Sequence, residues 1–182
     1  KGAFSTYVSS EVMNEVLKDP KKLALGGKRV KATMLFTDIR GFTSMSETLE
    51  PEQVVAVINE YLTVQTDKVL KWKGVLDKFV GDCVMAVYGV PMPKEDDSYR
   101  AVRTAMDIRD SVDKLNKIRE KTKQICVGIG IGVNTGDVVS GNMGSPQKMD
   151  YTVIGDNVNL AARLEANAPA GTIYVSESTY NE

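Results

Sequence analysis

Hydrophobic positions along the chain follow two spacings, that of an amphipathic helix and that of a strand. Helical spacing runs through residues 51–74 and 96–123, where one face is apolar and the other carries charges. A short helix is expected to end near residue 50, and another to run from Gly155-Asp156 to Glu165. Short apolar runs bounded by Gly, Pro or Asp predict strands at residues 30–36, 75–80, 83–89, 125–133, 138–140, 149–154 and 172–175.

The order of these elements predicts the fold class. Gly81-Asp82 lies between two predicted strands, a position typical of a β-hairpin turn. Strand, helices, hairpin, helix and further strands in this order predict an α+β ferredoxin-like sandwich, with an antiparallel-rich sheet and helices on one face. A break between strands is expected at residues 134–137. Gly128, Gly130 and Gly132 share one face of a predicted strand, where they would let another element approach closely.

The N-terminal residues predict a lead-in segment before the sheet. Residues 5–18 have helical spacing and are followed by Asp19-Pro20, which ends a helix. Residues 21–31 are interpreted as a linker. The Gly26-Gly27-Lys28 sequence within it does not match a Walker phosphate loop, because that motif requires an earlier Gly and a Ser or Thr where Arg29 stands.

Composition narrows the function classes. The chain has 182 residues with 42% hydrophobic content, which predicts one domain with a real core. The chain has 23 basic and 24 acidic residues and therefore no excess of positive charge, so we expect no nucleic-acid partner. The chain contains no histidine, which excludes catalytic triads and zinc sites that contain histidine, as well as acid–base catalysis by histidine. Cys83 and Cys126 lie in apolar runs and are expected to be buried free thiols of a reducing compartment.

A candidate metal and phosphate site lies where the first predicted strand ends. Asp38 follows an apolar run and offers carboxylate oxygens, which Mg²⁺ prefers. Gly41 allows close backbone approach, and the free amides of a helix opening at Phe42 and Thr43 suit an anion. The alternative is that Asp38 only caps that helix. Asp82 would lie beside Asp38 if the first strand neighbours the hairpin, which makes a two-metal site plausible.

A second candidate pair lies on the helix after Gly155. Asn159 and Arg163 are four residues apart and therefore share one helix face. An amide and a guanidinium on one face can bind a sugar oxygen and a phosphate, and Ala161 and Ala162 leave room around them. The alternative is a polar pair on the surface without a ligand.

Three motifs together carry a resemblance to a known family. They are FTDIRGFT at residues 36–43, DKFVGD at 77–82 and YTVIGDNVNLAAR at 151–163. In this order they resemble the catalytic domain of class III nucleotidyl cyclases of the bacterial adenylate cyclase type, over about residues 30–176. This resemblance implies that the metal ligands are Asp38, Asp82 and the carbonyl of Ile39. It also implies that Lys78 and Thr152 recognise the base. Asn159 would then orient the ribose, and Arg163 would stabilise the transition state.

The resemblance also implies an activity. The expected reaction is conversion of ATP to 3′,5′-cyclic AMP and pyrophosphate, with two Mg²⁺ or Mn²⁺ ions, at sites shared between the subunits of a homodimer. Lys78 favours ATP, because similar guanylate cyclases typically carry Glu at that position. A guanylate cyclase and a nucleotide-binding dimerisation module without turnover remain as alternatives.

The resemblance divides the chain into two parts. Residues 1–28 are expected to join an upstream sensor or membrane module, and residues 29–182 to form the cyclase domain. The family's closing hairpin and phosphate-binding Lys would follow Glu182, so the C-terminal end is expected to be truncated. Asp137 stands where animal cyclases carry a triphosphate-binding Arg. No apolar run reaches the roughly 20 residues of a membrane span, so we expect a cytoplasmic domain, one that could belong to a membrane-bound receptor-type protein.

Overall fold

The computed structural model describes residues 25–182 and the single residue Met13. Met13 is helical, and the rest of the lead-in helix predicted over residues 5–18 lies outside the described residues. In chain order the elements are β1 (Gly26–Arg40), α1 (Phe42–Thr48), α2 (Pro51–Lys71), β2 (Val75–Val80), β3 (Cys83–Tyr88), α3 (Asp97–Lys121), β4 (Gly128–Ser145), β5 (Lys148–Ile154), α4 (Asp156–Asn167), β6 (Thr172–Val175) and α5 (Glu177–Tyr180).

The six strands of the described residues belong to one sheet whose order is β2-β3-β1-β4-β5, with β6 beside β4. The central strand β1 runs antiparallel to both β3 and β4, whereas β6 runs parallel to β4. The predicted hairpin is present as β2 and β3, joined through Gly81, whose φ of 63° is the left-handed conformation that glycine adopts readily. The α+β sandwich with an antiparallel-rich sheet is confirmed.

The central strand separates two apolar layers, because successive side chains of a strand point to opposite faces. Leu35 and Ile39 belong to the layer formed with the helices α2 and α3, which also buries Tyr61. Met34 and Phe36 face the other side of the sheet. Both faces of β1 are therefore covered along its middle, and its C-terminal residues emerge at one end of the sheet.

Helix α4 covers the second face of the sheet, so the expectation of helices on one face is corrected. Ile131 belongs to the layer of α2 and α3, and its neighbour Gly132 therefore faces the opposite side. A Cβ atom at Gly132 would overlap the backbone nitrogen of Glu165 and the carbonyl oxygen of Ala161, both in α4. The prediction that these glycines permit close approach is confirmed.

Two predicted boundaries were wrong. Strand β1 begins at Gly26 and pairs there with β4, so the C-terminal part of the predicted linker is strand. Strand β4 continues through residues 134–137, where a break was expected. The polar side chains there find partners: Thr135 and Thr33 share a hydroxyl hydrogen bond of 2.9 Å across the ladder, and Asn134 donates to the carbonyl of Asn157. Buried polar groups with such partners are compatible with a central strand.

Smaller features complete the description. The short helix α5 was not predicted, and its N-terminus is capped by Ser176, which accepts a hydrogen bond from the amide of Thr179. Cys83 and Cys126 are free and half-buried rather than buried. Among the described helices, none combines the length and the apolar character needed to cross a membrane.

Candidate active site

The structure brings Asp38 and Asp82 together at the end of the central strand. Pairing between β1 and β3 stops at Thr37 opposite Val84, so the next residue of β1 faces the turn between β2 and β3. That turn carries Asp82, and the two carboxyl groups lie within hydrogen-bonding distance of each other. The predicted proximity of Asp38 and Asp82 is confirmed.

The surroundings of Asp38 make its ionised form unfavourable. The pKa of Asp38 is raised from 3.8 to about 6, first by partial burial and then by the negative charges of Asp82 and Glu165. Arg40 opposes this effect, since its guanidinium lies 3.0 Å from the Asp38 carboxylate. Two carboxylates held in contact, with one of them shifted in this way, form a place where a cation would be stabilised.

The donor set around these carboxylates fits a divalent ion of the Mg²⁺ type. Within the described part of the chain, no cluster of three or more Asp, Glu, Cys or His side chains could hold a metal. Mg²⁺ is commonly bound by one or two carboxylates together with water and substrate phosphates. Asp38 and Asp82 would supply the carboxylates for such an ion, and the carbonyl of Ile39, the next residue along β1, is the candidate backbone ligand.

Arg40 links this carboxylate pair to helix α4, a connection that the sequence analysis missed. Its guanidinium is 2.7 Å from the carboxylate of Glu165 and also donates to the carbonyl oxygens of Glu165 and Ala168, at the C-terminal end of α4. A cation at that end of a helix is favoured by the helix dipole. The only sequence signal was that Arg40 and Asp38 lie two residues apart, on the same face of a strand.

The loop after β1 forms the candidate phosphate contact. Gly41 has φ of 77°, and α1 begins directly after it without a side-chain cap. The alternative in which Asp38 caps this helix is therefore wrong. The amides of Phe42 and Thr43 lie in the first turn, where backbone donors have no partner within the helix.

The side chains of Lys78 and Thr152 each lie close to a different oxygen of a third carboxylate, that of Asp77. The Thr152 hydroxyl donates to Asp77 over 2.6 Å, and the Lys78 ammonium lies 3.5 Å from the other oxygen of the same carboxylate. Sequence reasoning did not select Asp77. The register of β2 against β3 shifts between Leu76 and Lys78, and such an irregularity lets consecutive residues depart from strict alternation.

Asn159 and Arg163 occupy an exposed face of α4. Both residues are exposed, and the i,i+4 spacing places them on one side of the helix, as predicted. Among the described residues, no ion pair joins Arg163 to Asp38 or Asp82. In a single chain, these two side chains therefore point to solvent rather than to the carboxylate pair.

Comparison with known proteins identifies the family. Residues 28–182 match the model of the adenylate and guanylate cyclase catalytic domain. An adenylate cyclase of Anabaena cylindrica is 37% identical over 139 residues, which are 74% of this chain and 27% of that protein. Adenylate cyclase 1 of Rhizobium meliloti is 31% identical over 170 residues, covering 93% of this chain and 26% of that protein. The chain thus spans about a quarter of the length of these curated relatives.

Solved structures show the same relationship. The adenylyl cyclase CyaB from P. aeruginosa superposes with a TM-score of 0.81 at 41% identity, covering 86% of this chain and 82% of that one. The guanylyl cyclase Cya2 superposes with a TM-score of 0.82 at 38% identity, covering 86% of this chain and 80% of that one. The chain therefore belongs to the adenylate and guanylate cyclase catalytic domain family, the class III nucleotidyl cyclases.

Proposed function

We propose that this domain is an adenylate cyclase that converts ATP to 3′,5′-cyclic AMP and pyrophosphate, at sites shared between the two subunits of a homodimer. Domains of this family bind nucleotides, generally with divalent metal ions, and often form dimers. The observation that carries the proposal is the contact between the carboxyl groups of Asp38 and Asp82 at the end of β1. Two carboxylates held together in this way suit phosphoryl-transfer chemistry that depends on metal ions.

The first half of the proposed site holds the metals and the triphosphate. Asp38, Asp82 and the carbonyl of Ile39 would bind two Mg²⁺ or Mn²⁺ ions. Held by these residues, the metal charge would serve to activate the ribose 3′-hydroxyl and to neutralise the charge that develops during its attack on the α-phosphate. Arg40 holds the Asp38 carboxylate in position from the end of α4. The amide of Gly41 and the first-turn amides of α1, those of Phe42 and Thr43, would donate to the phosphates.

The second half of the proposed site comes from the partner subunit. Asn159 would orient the ribose, and Arg163 would place positive charge on the reacting phosphate. Their exposure on α4 supports this assignment, because groups that act on a neighbouring subunit must be accessible in the single chain. A two-fold symmetric dimer would form two equivalent sites in this way. A charged donor of this kind contributes on the order of 10²-fold in rate.

Lys78 and Thr152 support ATP as the substrate. The relatives include both adenylyl and guanylyl cyclases at similar identity, so similarity alone does not separate the two nucleotides. The adenine N1 atom accepts a hydrogen bond and suits a lysine, whereas guanine N1 and N2 carry hydrogens and suit a carboxylate. Lys78 therefore favours adenine over guanine.

The match of the family model to residues 28–182 supports the proposed start of the catalytic domain at residue 29. The curated relatives are about four times longer than the segments matched here. We propose that residues 1–28 connect the catalytic domain, residues 29–182, to an upstream sensor or membrane module.

A complementation experiment tests the proposed activity together with the shared site. The variants Asp38→Ala and Arg163→Ala should each be inactive alone when assayed for cyclic AMP from ATP with Mn²⁺. Mixed in equal amounts, they should recover about a quarter of the wild-type rate, because half of the dimers are mixed and each of these has one intact site.

Two results would contradict the proposal. Absence of cyclic AMP from the wild-type protein at every protein concentration would contradict the activity, and measured nucleotide binding would then support the module without turnover. Active wild type without recovery in the mixture would contradict only the sharing of the site.

A further inference from the structure

We propose that Asp77 is a positioning residue that selects adenine over guanine by fixing the direction of the hydrogen bond that Thr152 offers to the base. The inference rests on the proposed function and concerns the same nucleotide site. Asp77 acts through Thr152 and Lys78.

The geometry around Asp77 fixes the Thr152 proton. The Thr152 hydroxyl oxygen lies 2.6 Å from one Asp77 oxygen, and the Asp77 side chain is only 4% exposed. An ionised carboxylate can only accept hydrogen bonds, so the hydroxyl must donate. A hydroxyl has one proton, and once that proton is committed to Asp77, its oxygen can only accept from a ligand.

Lys78 completes the pattern on the same carboxylate. Its ammonium lies 3.5 Å from the second Asp77 oxygen, and its side chain is 39% exposed. An ammonium carries three protons, so donors remain available for a bound base. The Asp77 carboxylate therefore leaves the pair with one acceptor, at Thr152, and one donor, at Lys78.

This arrangement matches adenine and opposes guanine. Adenine presents a 6-amino donor next to the N1 acceptor, while guanine presents a 6-oxo acceptor next to an N1 hydrogen. A threonine free to rotate could accept from the amino group or donate to the oxo group with equal ease. The bond to Asp77 removes the second option, and Lys78 meets a hydrogen at guanine N1.

Asp77 reaches this position through tertiary structure. Asp77 on β2 and Thr152 on β5 are 75 residues apart in the chain, on strands at opposite ends of the sheet order. Burial raises the pKa of Asp77 above its usual value, although the hydrogen bond from Thr152 and the charge of Lys78 act in the opposite direction. A buried carboxylate is unfavourable unless paired, so its presence here, between two candidate base-reading side chains, points to a role in recognition.

The test is the ratio of kcat/KM for ATP to kcat/KM for GTP, measured by cyclic nucleotide formation with Mn²⁺. Asp77→Asn keeps the shape, but its amide can donate to Thr152 and release the hydroxyl proton. The ratio should fall about tenfold or more, since loss of a committed hydrogen-bond pattern relaxes discrimination by at least that factor. Asp77→Ser, a smaller neutral side chain, should lower the ratio in the same direction.

Asp150→Asn is the matched control. Asp150 is exposed and lies on β5 near Asp77. The substitution removes the same negative charge as Asp77→Asn does, but Thr152 donates its hydrogen bond to Asp77 and not to Asp150. Its ratio should stay within about twofold of wild type. In a Thr152→Val background, Asp77→Asn should change the ratio no further, because the two residues act as one unit.

The outcomes separate the two proposals. Folded Asp77→Asn and Asp77→Ser variants with a wild-type ratio, or an undiminished effect of Asp77→Asn in the Thr152→Val background, would overturn the role of Asp77. A fall in rate with both nucleotides at constant ratio would show a merely structural role and would overturn it as well. Failure of the wild-type protein to form any cyclic nucleotide would instead contradict the proposed function.

Discussion

Replacing Asp38 with Asn should stabilise the metal-free domain at neutral pH and at the same time remove its stabilisation by Mn²⁺. Folding places the Asp38 carboxylate in a partly buried position beside Asp82, which raises its pKa from 3.8 to about 6. The folded protein therefore holds the Asp38 proton more tightly than the unfolded chain does. Its free energy of unfolding should fall as the pH rises through the window from about 4 to about 6.

The size of the effect follows from the pKa shift. A shift of about two units corresponds to at most about 3 kcal/mol. The Asp38 side chain is 31% exposed, and solvent screening reduces this to roughly 1–2 kcal/mol. Asn resembles the neutral carboxyl group, so the variant should be more stable than wild type by about this amount at pH 7 and equal to it near pH 4.

Urea unfolding in EDTA, at pH 4 and pH 7, measures this difference, and the same titration with Mn²⁺ measures stabilisation by the metal. Exposed Asp113 on α3 provides the control, since Asp113→Asn should change neither quantity. A variant less stable than wild type in EDTA at pH 7 would refute the reasoning, because the carboxylate would then be stabilised overall by Arg40. Undiminished stabilisation by Mn²⁺ would refute the metal assignment of Asp38.

Two further predictions concern packing and base recognition. Gly132→Ala should destabilise the domain by about 2–4 kcal/mol in urea unfolding, because the added methyl group overlaps the backbone of α4. Gly81→Asn is the comparison variant and should cost much less, since nothing lies within 4 Å of a Cβ there and Asn is among the few non-glycine residues that adopt a positive φ. An unchanged midpoint for Gly132→Ala would mean that α4 does not pack on β4 as described. Lys78→Glu should shift the kcat/KM preference from ATP towards GTP by about tenfold or more. The control Lys114→Glu changes an exposed lysine and should leave this preference unchanged. A preserved ATP preference in Lys78→Glu would show that Lys78 does not recognise the base.

Much of the fold could be predicted because it is encoded locally. The β2–β3 hairpin follows from apolar runs on either side of a Gly-Asp turn. The contact between Asp38 and Asp82 needed only one further assumption, that the first strand neighbours the hairpin. The break expected at residues 134–137 was wrong because those polar residues resemble a turn locally, while their partners Thr33 and Asn157 come from distant parts of the chain.

The sequence by itself determined the types of the elements, the family motifs and the positions of the candidate metal, base and ribose residues. Only the tertiary structure decided that Asp77 receives the Thr152 hydroxyl and that Arg40 joins Asp38 to the end of α4. The physical reason is that periodicity reports which face a residue occupies within its own element. Contacts across 75 to 128 residues depend on strand register, local irregularity and close helix packing, which no local pattern specifies.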